Sequence, residues 1–236
     1  VSDTNTMGRE IDQATPALRI AIVGAESTGK STLAAALALR LGELTGLRCT
    51  AVGEWLRQWC DDHGRTPRPH EQLAIAEHQQ ALIDAAAAQH EVVVCDTTPL
   101  MTAVYSAMLF DDHSLAAYAL TQQRGCALTL LTALDIPWVA DGLQRDGPQV
   151  RPLVDDRVRT LLIGAGLPWA LVAGSGEARL QAAVDAVAPL LRPRSRPGSG
   201  LFTRLAERDA QRAGATWLCN DCDVPDCEHA LRQAAR

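Results

Sequence analysis

Residues 18–32 read LRIAIVGAESTGKST, a strand, a glycine-rich turn and the start of a helix from which the architecture of the chain follows. LRIAIVG is a short apolar run of the kind that forms a strand buried on both faces of a parallel sheet. The eight residues from Gly24 to Ser31 match G-x-x-x-x-G-K-[ST] at every position, and a helix is expected from Lys30 to about Leu44. Strand, glycine-rich turn and helix in that order make a phosphate-binding loop. Gly24 and Gly29 let backbone N–H groups wrap an anion, and the positive end of the helix faces the same oxygens. Gly24, Ala25, Glu26, Ser27, Thr28, Gly29, Lys30, Ser31 and Thr32 are therefore the expected ATP-binding residues, with Lys30 at the β and γ phosphates and Ser31 on Mg2+.

Outward from this motif, short apolar runs alternate with longer amphipathic ones, which is the pattern of strands and crossover helices in a parallel sheet. CTAV (49–52), EVVVCD (91–96), ALTLLT (127–132) and WALVAG (169–174) complete a set of five strands. Helices are expected over 54–64, 70–89, twice across 99–124, over about 153–164, and up to about residue 191. The fold class is α/β, three layers built on a parallel five-stranded sheet. Residues 135–151, rich in Gly, Pro, Asp and Arg, read as a mobile segment. Four regions result: a polar lead-in at 1–16, the P-loop domain at 17–191, a Pro/Gly/Ser-rich linker at 192–200 and a tail at 201–236.

Composition narrows the function. Of the 22 basic residues, 21 are arginine, and Lys30 is the only lysine. A compact ammonium in that one slot answers a need that a planar guanidinium does not meet. The formal charge is −6, with 14 basic and 22 acidic residues up to position 191 and a mildly basic remainder, which argues against a role in coating nucleic acid. No apolar run reaches 18 residues and the opening VSDTNTMGREIDQ is polar, so neither a membrane span nor Sec export is expected, and the cytoplasm is the expected compartment. Cys49, Cys60, Cys95 and Cys126 lie scattered in apolar or amphipathic context as buried free thiols would.

Asp96 closes the apolar run VVVCD, where a carboxylate at a strand end holds Mg2+ or caps the next helix. Glu54 lies just past the second strand, with Arg57 one turn on. The pair reads either as a base with a steadying cation or as a solvated ion pair. Whether Glu54 or Asp96 takes the acceptor proton is open at this level. Arg145 and Arg151 flank Gly147 and Pro148 in the segment 135–151, as lid residues that neutralise a transferring phosphate would. In the tail, Cys219, Cys222, Cys227 and His229 supply four soft ligands within eleven residues. They fit a structural Zn2+ site that gives a small C-terminal hook the stability its length denies it, the alternatives being an iron–sulfur cluster or a redox pair.

With these motifs in place, the sequence resembles the ribosylnicotinamide kinase domain of NadR-type NAD-metabolism proteins. The likeness runs over about 18–190 and rests on GAESTGKST (24–32), GEWLRQW (53–59), His78-Gln79, DTT (96–98) and PWVADGL (137–143). The resemblance implies a nucleoside-kinase-like fold, ATP and Mg2+ as cofactors, and phosphorylation of a ribosyl 5′-hydroxyl, with nicotinamide riboside as the leading substrate. It implies Lys30, Ser31 and Asp96 as phosphate, Mg2+ and active-site residues, and Glu54, Trp55, Arg57, Trp138 and Asp141 on the substrate side. The chain departs from the family at Gly53, where an aromatic residue is usual, at Thr98, the last position of D-T-D, and at Gln144, with Arg145 one place late. The Cys/His tail is not part of that kinase's pattern. A reading of another class is a P-loop ATPase acting as a nucleotide-dependent switch, its zinc tail docking a protein partner.

Overall fold

A computed structural model describes residues 16–139, 147–191 and 194 of the chain. Five strands form one sheet: β1 (Leu18–Val23), β2 (Cys49–Val52), β3 (Val92–Asp96), β4 (Leu128–Thr132) and β5 (Trp169–Val172). Their order is β2-β3-β1-β4-β5, and every pairing is parallel. The helices are α1 (Lys30–Thr45), α2 (Trp55–His63), α3 (Gln72–Ala87), α4 (Pro99–Phe110), α5 (Ala116–Gln123), α6 (Arg151–Gly164) and α7 (Gly176–Leu191).

The period of two in β1 divides the core. Leu18, Ile20 and Ile22 point to the face covered by α1 and α7, where they meet Leu33, Leu37, Leu41, Val184 and Val187. Ala21 and Val23 point to the other face and pack with Leu100, Val104, Val154, Val158 and Leu162 of α4 and α6. Both faces of the sheet are thus covered, which is why β1, β3 and β4 read as nearly unbroken apolar runs.

Helix ends follow the local chemistry. α1 stops at Gly46, whose left-handed conformation (φ 69°) lets its N–H return to the Gly42 carbonyl at 2.9 Å. The helix expected over 70–89 is resolved into a 3-10 turn at Pro69–Glu71 followed by α3. α6 begins at Arg151, two residues earlier than expected, because Pro152 suits a first helical turn, and Arg151 is buried there at 7% exposure. The expected tail at 201–236, with Cys219, Cys222, Cys227 and His229, and the lid positions Asp141 and Arg145 lie outside the described residues.

Candidate functional site

The carboxyl ends of β1, β3 and β4 meet at one edge of the sheet, and the site is built there, as ligand sites in open parallel sheets are. Gly24 follows β1 at φ 142°, and a side chain there would collide with Thr132 Oγ1 at the end of β4. Gly29 (φ 74°) caps α1 and turns the loop into the helix. Between them the loop ties itself together. Lys30 Nζ donates to the Ala25 carbonyl at 2.9 Å, and Thr28 Oγ1 donates to the same oxygen at 2.8 Å. Thr28 Oγ1 also shares a 2.7 Å contact with Thr132 Oγ1.

Asp96 ends β3 opposite Ile22 of β1 and is 4% exposed. Its Oδ1 is buried with no hydrogen-bond partner among the described residues. Burial pushes its carboxyl above the ordinary value, opposed by the Ser31 hydroxyl and by the charges of Lys30 and Arg57. An orphaned carboxylate oxygen beside the Ser31 hydroxyl fits a hard divalent cation, and Mg2+ held by Ser31 and Asp96 suits this donor set. Thr97 follows at φ 68°, as Ser27 does at 55°, so two non-glycine residues bordering the site sit in the left-handed region.

Glu54 sits two residues past β2 and caps α2. The backbone on either side of it is held by Gln79 of α3. Gln79 Oε1 accepts from the Trp55 N–H at 2.7 Å, and its Nε2 donates to the Gly53 carbonyl at 3.2 Å. The Glu54 carboxylate lies 3.8 Å from the Arg57 guanidinium. Trp55 stacks on His78 at 4.0 Å and does not line either cavity of the site. Trp138 is half-buried and likewise lines neither. The departure at Thr98 has a structural reason, since its hydroxyl donates to Gln123 Oε1 at 2.6 Å and Gln123 Nε2 donates on to Thr129 Oγ1 at 2.8 Å.

Two cavities meet in this arrangement. One, about 480 Å3, runs along Ser27, Thr28, Gly29, Lys30, Ser31 and Thr32 and is closed by Ile136, Pro137 and Val139. The other, about 320 Å3, is lined by Glu26, Glu54, Thr97 and Gln72 and by the apolar Leu56, Met101, Tyr105, Leu109 and Phe110. Ser27, Lys30 and Arg57 belong to both. The segment over the first cavity is latched to the loop, because Ser27 Oγ donates to the Val139 carbonyl at 3.1 Å and lies 2.9 Å from the Val139 N–H.

Arg179 is a residue of the site that sequence reasoning missed. It is 3% exposed on α7, and its guanidinium donates to the carbonyls of Thr28 (2.8 Å), Ala133 (3.1 Å) and Val172 (3.2 Å) and to Asp135 Oδ1 (3.0 Å). Burial pulls this guanidinium below its ordinary value, Asp135 opposes that, and the nearby charge of Arg151 adds to it. Arg151 itself has Nε and Nη2 buried without hydrogen-bond partners.

A phosphate-binding loop between β1 and α1, a strand-end carboxylate and a parallel sheet covered on both faces define a P-loop nucleotide-binding protein. The chain belongs to the AAA domain family AAA_28, which it matches over residues 19–179. Among solved structures it is similar to the NadR protein in complex with NR, at 18% identity and a TM-score of 0.60, and to the NadR protein in complex with NAD and AMP-PNP, at 19% and 0.58. The likeness covers 73% of this chain and 50% and 49% of those, so the chain spans about half the length of the NadR proteins. The resemblance to NadR-type proteins therefore holds in the fold. No curated protein sequence matches the chain. Among the described residues no helix is long and apolar enough to cross a membrane, and no group of three or more His, Cys, Asp and Glu is placed to hold a metal.

Proposed function

We propose that the protein is an ATP-dependent kinase of a nucleoside-like substrate, with nicotinamide riboside as the leading acceptor and nicotinamide mononucleotide as the product. The observation that carries this reading is the junction of the two cavities at Ser27, Lys30 and Arg57. A nucleotide-sized groove along the phosphate loop opens onto a second, half-apolar cavity of the size that takes a small ligand. A domain that only sensed nucleotide would need the first cavity alone.

In this reading the loop N–H groups and Lys30 hold the ATP phosphates, and Ser31 and Asp96 hold Mg2+, which would neutralise charge on the phosphate oxygens. The acceptor hydroxyl oxygen forms the new bond to the γ-phosphorus while the bond to the β–γ bridging oxygen breaks and ADP leaves. Glu54, fixed by Gln79 and facing the acceptor cavity, takes the hydroxyl proton. Asp96 is assigned to the cation because its buried Oδ1 is left without a partner at the strand end beside the phosphate loop. Arg57, common to both cavities, steadies phosphate or Glu54. Asp141 and Arg145 belong to the proposed lid, and a structural Zn2+ on Cys219, Cys222, Cys227 and His229 to the proposed tail. A cytoplasmic setting agrees with the free thiols Cys49, Cys60, Cys95 and Cys126.

The test is incubation with MgATP and a panel of nucleosides that includes nicotinamide riboside. A 5′-phosphate formed in step with ADP supports the reading. ADP release indifferent to every nucleoside would favour the nucleotide-dependent switch, for which the Ser27–Val139 latch over the nucleotide groove is the supporting observation.

A further inference from the structure

Gln72 opens α3 and is 4% exposed as a residue, and its side-chain amide, which makes no hydrogen bond among the described residues, is not sealed from solvent. It lines the acceptor cavity. An amide that opens onto a cavity without a protein partner is available to pair with a ligand or with water. The surroundings favour a ligand. Along α4 the cavity wall is made by Met101, Tyr105, Leu109 and Phe110, apolar and aromatic surface suited to the face of a planar ring. Such a wall offers no hydrogen bond of its own to a ring's polar edge except at Tyr105, and of the polar groups lining the cavity the Gln72 amide is the one that sets a donor and an acceptor side by side in a plane.

The position of Gln72 is held from the preceding turn. Arg65 donates twice to the Glu71 carboxylate, at 2.7 Å to each oxygen, and the Arg68 N–H donates to it at 2.7 Å. These contacts hold the Glu71 carboxyl at about 2, with the Arg65 hydrogen bond the larger cause and the Arg68 N–H next. The clamp closes the connection from α2 to α3, which also brings Thr66 and Pro67 to the same cavity. A recognition group set directly after such a clamp is preorganised.

We propose that Gln72 determines acceptor specificity: its amide pairs with an amide-type donor–acceptor edge on a planar heterocycle, a carboxamide or the corresponding edge of a base, while the α4 wall packs the ring face. This rests on the kinase reading above for the identity of the site, but it is tested by binding alone. Nicotinamide riboside and 1-ribosylpyridinium, which lacks the carboxamide, are titrated calorimetrically into the full-length protein and into Gln72→Leu. The wild type binds nicotinamide riboside about tenfold or more tightly than the pyridinium analogue. Gln72→Leu loses that preference by weakening the first ligand, while its affinity for MgATP, which reports an intact fold, is unchanged. A wild type that binds the two alike or binds neither, or a Gln72→Leu protein that keeps the preference, overturns the proposal. Adding MgATP separates the two readings. Discrimination without any phosphorylated nucleoside leaves Gln72 as the reader and removes the kinase, whereas phosphorylation without discrimination does the reverse. Where transfer occurs, Gln72→Leu raises KM for nicotinamide riboside about tenfold and changes kcat little, a split that a general structural defect would not give.

Discussion

Arg179 donates a 2.8 Å hydrogen bond to the carbonyl oxygen of Thr28, joining the last helix to the phosphate-binding loop 151 residues earlier. The same guanidinium also holds the ends of β4 and β5 through Ala133 and Val172, so one planar group sets the loop against the sheet edge. Arg179→Ala takes a donor from three carbonyls and from Asp135, and a loss of about 2–4 kcal/mol of stability is expected in calorimetry. Arg179→Lys keeps the charge but cannot span the same acceptors. It should fold and bind MgATP about tenfold more weakly, and wild-type affinity in that variant would show that the loop does not depend on the brace.

Asp96 sets stability against activity. Its carboxyl is raised above 3.8 in the folded protein, chiefly by burial. The sign follows from linkage: a raised folded value gives stability that is full below the unfolded value and is lost as pH rises through the folded one. Activity needs the ionised carboxylate, so the charge that Mg2+ requires is the one that burial disfavours. Asp96→Asn should raise the Tm at neutral pH by roughly 2–4 °C and abolish phosphoryl transfer. Differential scanning calorimetry beside a transfer assay checks both, and a variant less stable than wild type at pH 7 would contradict the assignment.

Gln79 acts on the acceptor side through backbone. Gln79→Leu removes the partners of the Trp55 N–H and the Gly53 carbonyl, which costs about 1–3 kcal/mol and frees the turn that carries Glu54. Transfer should fall by about tenfold or more with MgATP affinity unchanged. Equal losses of nucleotide binding and transfer would mean that the turn serves the loop rather than the acceptor cavity.

The five strands and seven helices of the described residues were legible because each rests on a local signal. EVVVCD is apolar on both faces, Gly46 and Gly64 end their helices in the left-handed conformation, and the phosphate loop carries its own glycine spacing. What stayed hidden depends on partners distant in sequence. Arg179 reads as an ordinary helical arginine until Thr28, Ala133 and Val172 surround it; its only local sign is a place beside Leu180 on a face that continues through Ala183 and Val184. Trp55 stands on the substrate side by resemblance, and its stack on His78 of α3 was not legible because the two lie 23 residues apart. Arg151 looked like a loop residue because Gly147 and Pro148 precede it, and the helix starts there because proline is tolerated in a first turn.

The tail gives a prediction independent of the kinase. Metal analysis of full-length protein purified without chelator should find about one zinc per chain, and Cys222→Ser should lower that content sharply. Well under one equivalent in the wild type would remove the zinc proposal and leave the P-loop domain untouched.

The most direct measurement of the central claim is the mass of the product formed from nicotinamide riboside and MgATP, read together with ADP. The wild type should convert the nucleoside to its 5′-monophosphate with one ADP for each product. Lys30→Arg should keep the charge and the fold yet lose transfer by about 100-fold or more. ADP accumulating with the nucleoside unmodified, or a fully active Lys30→Arg protein, would contradict the account.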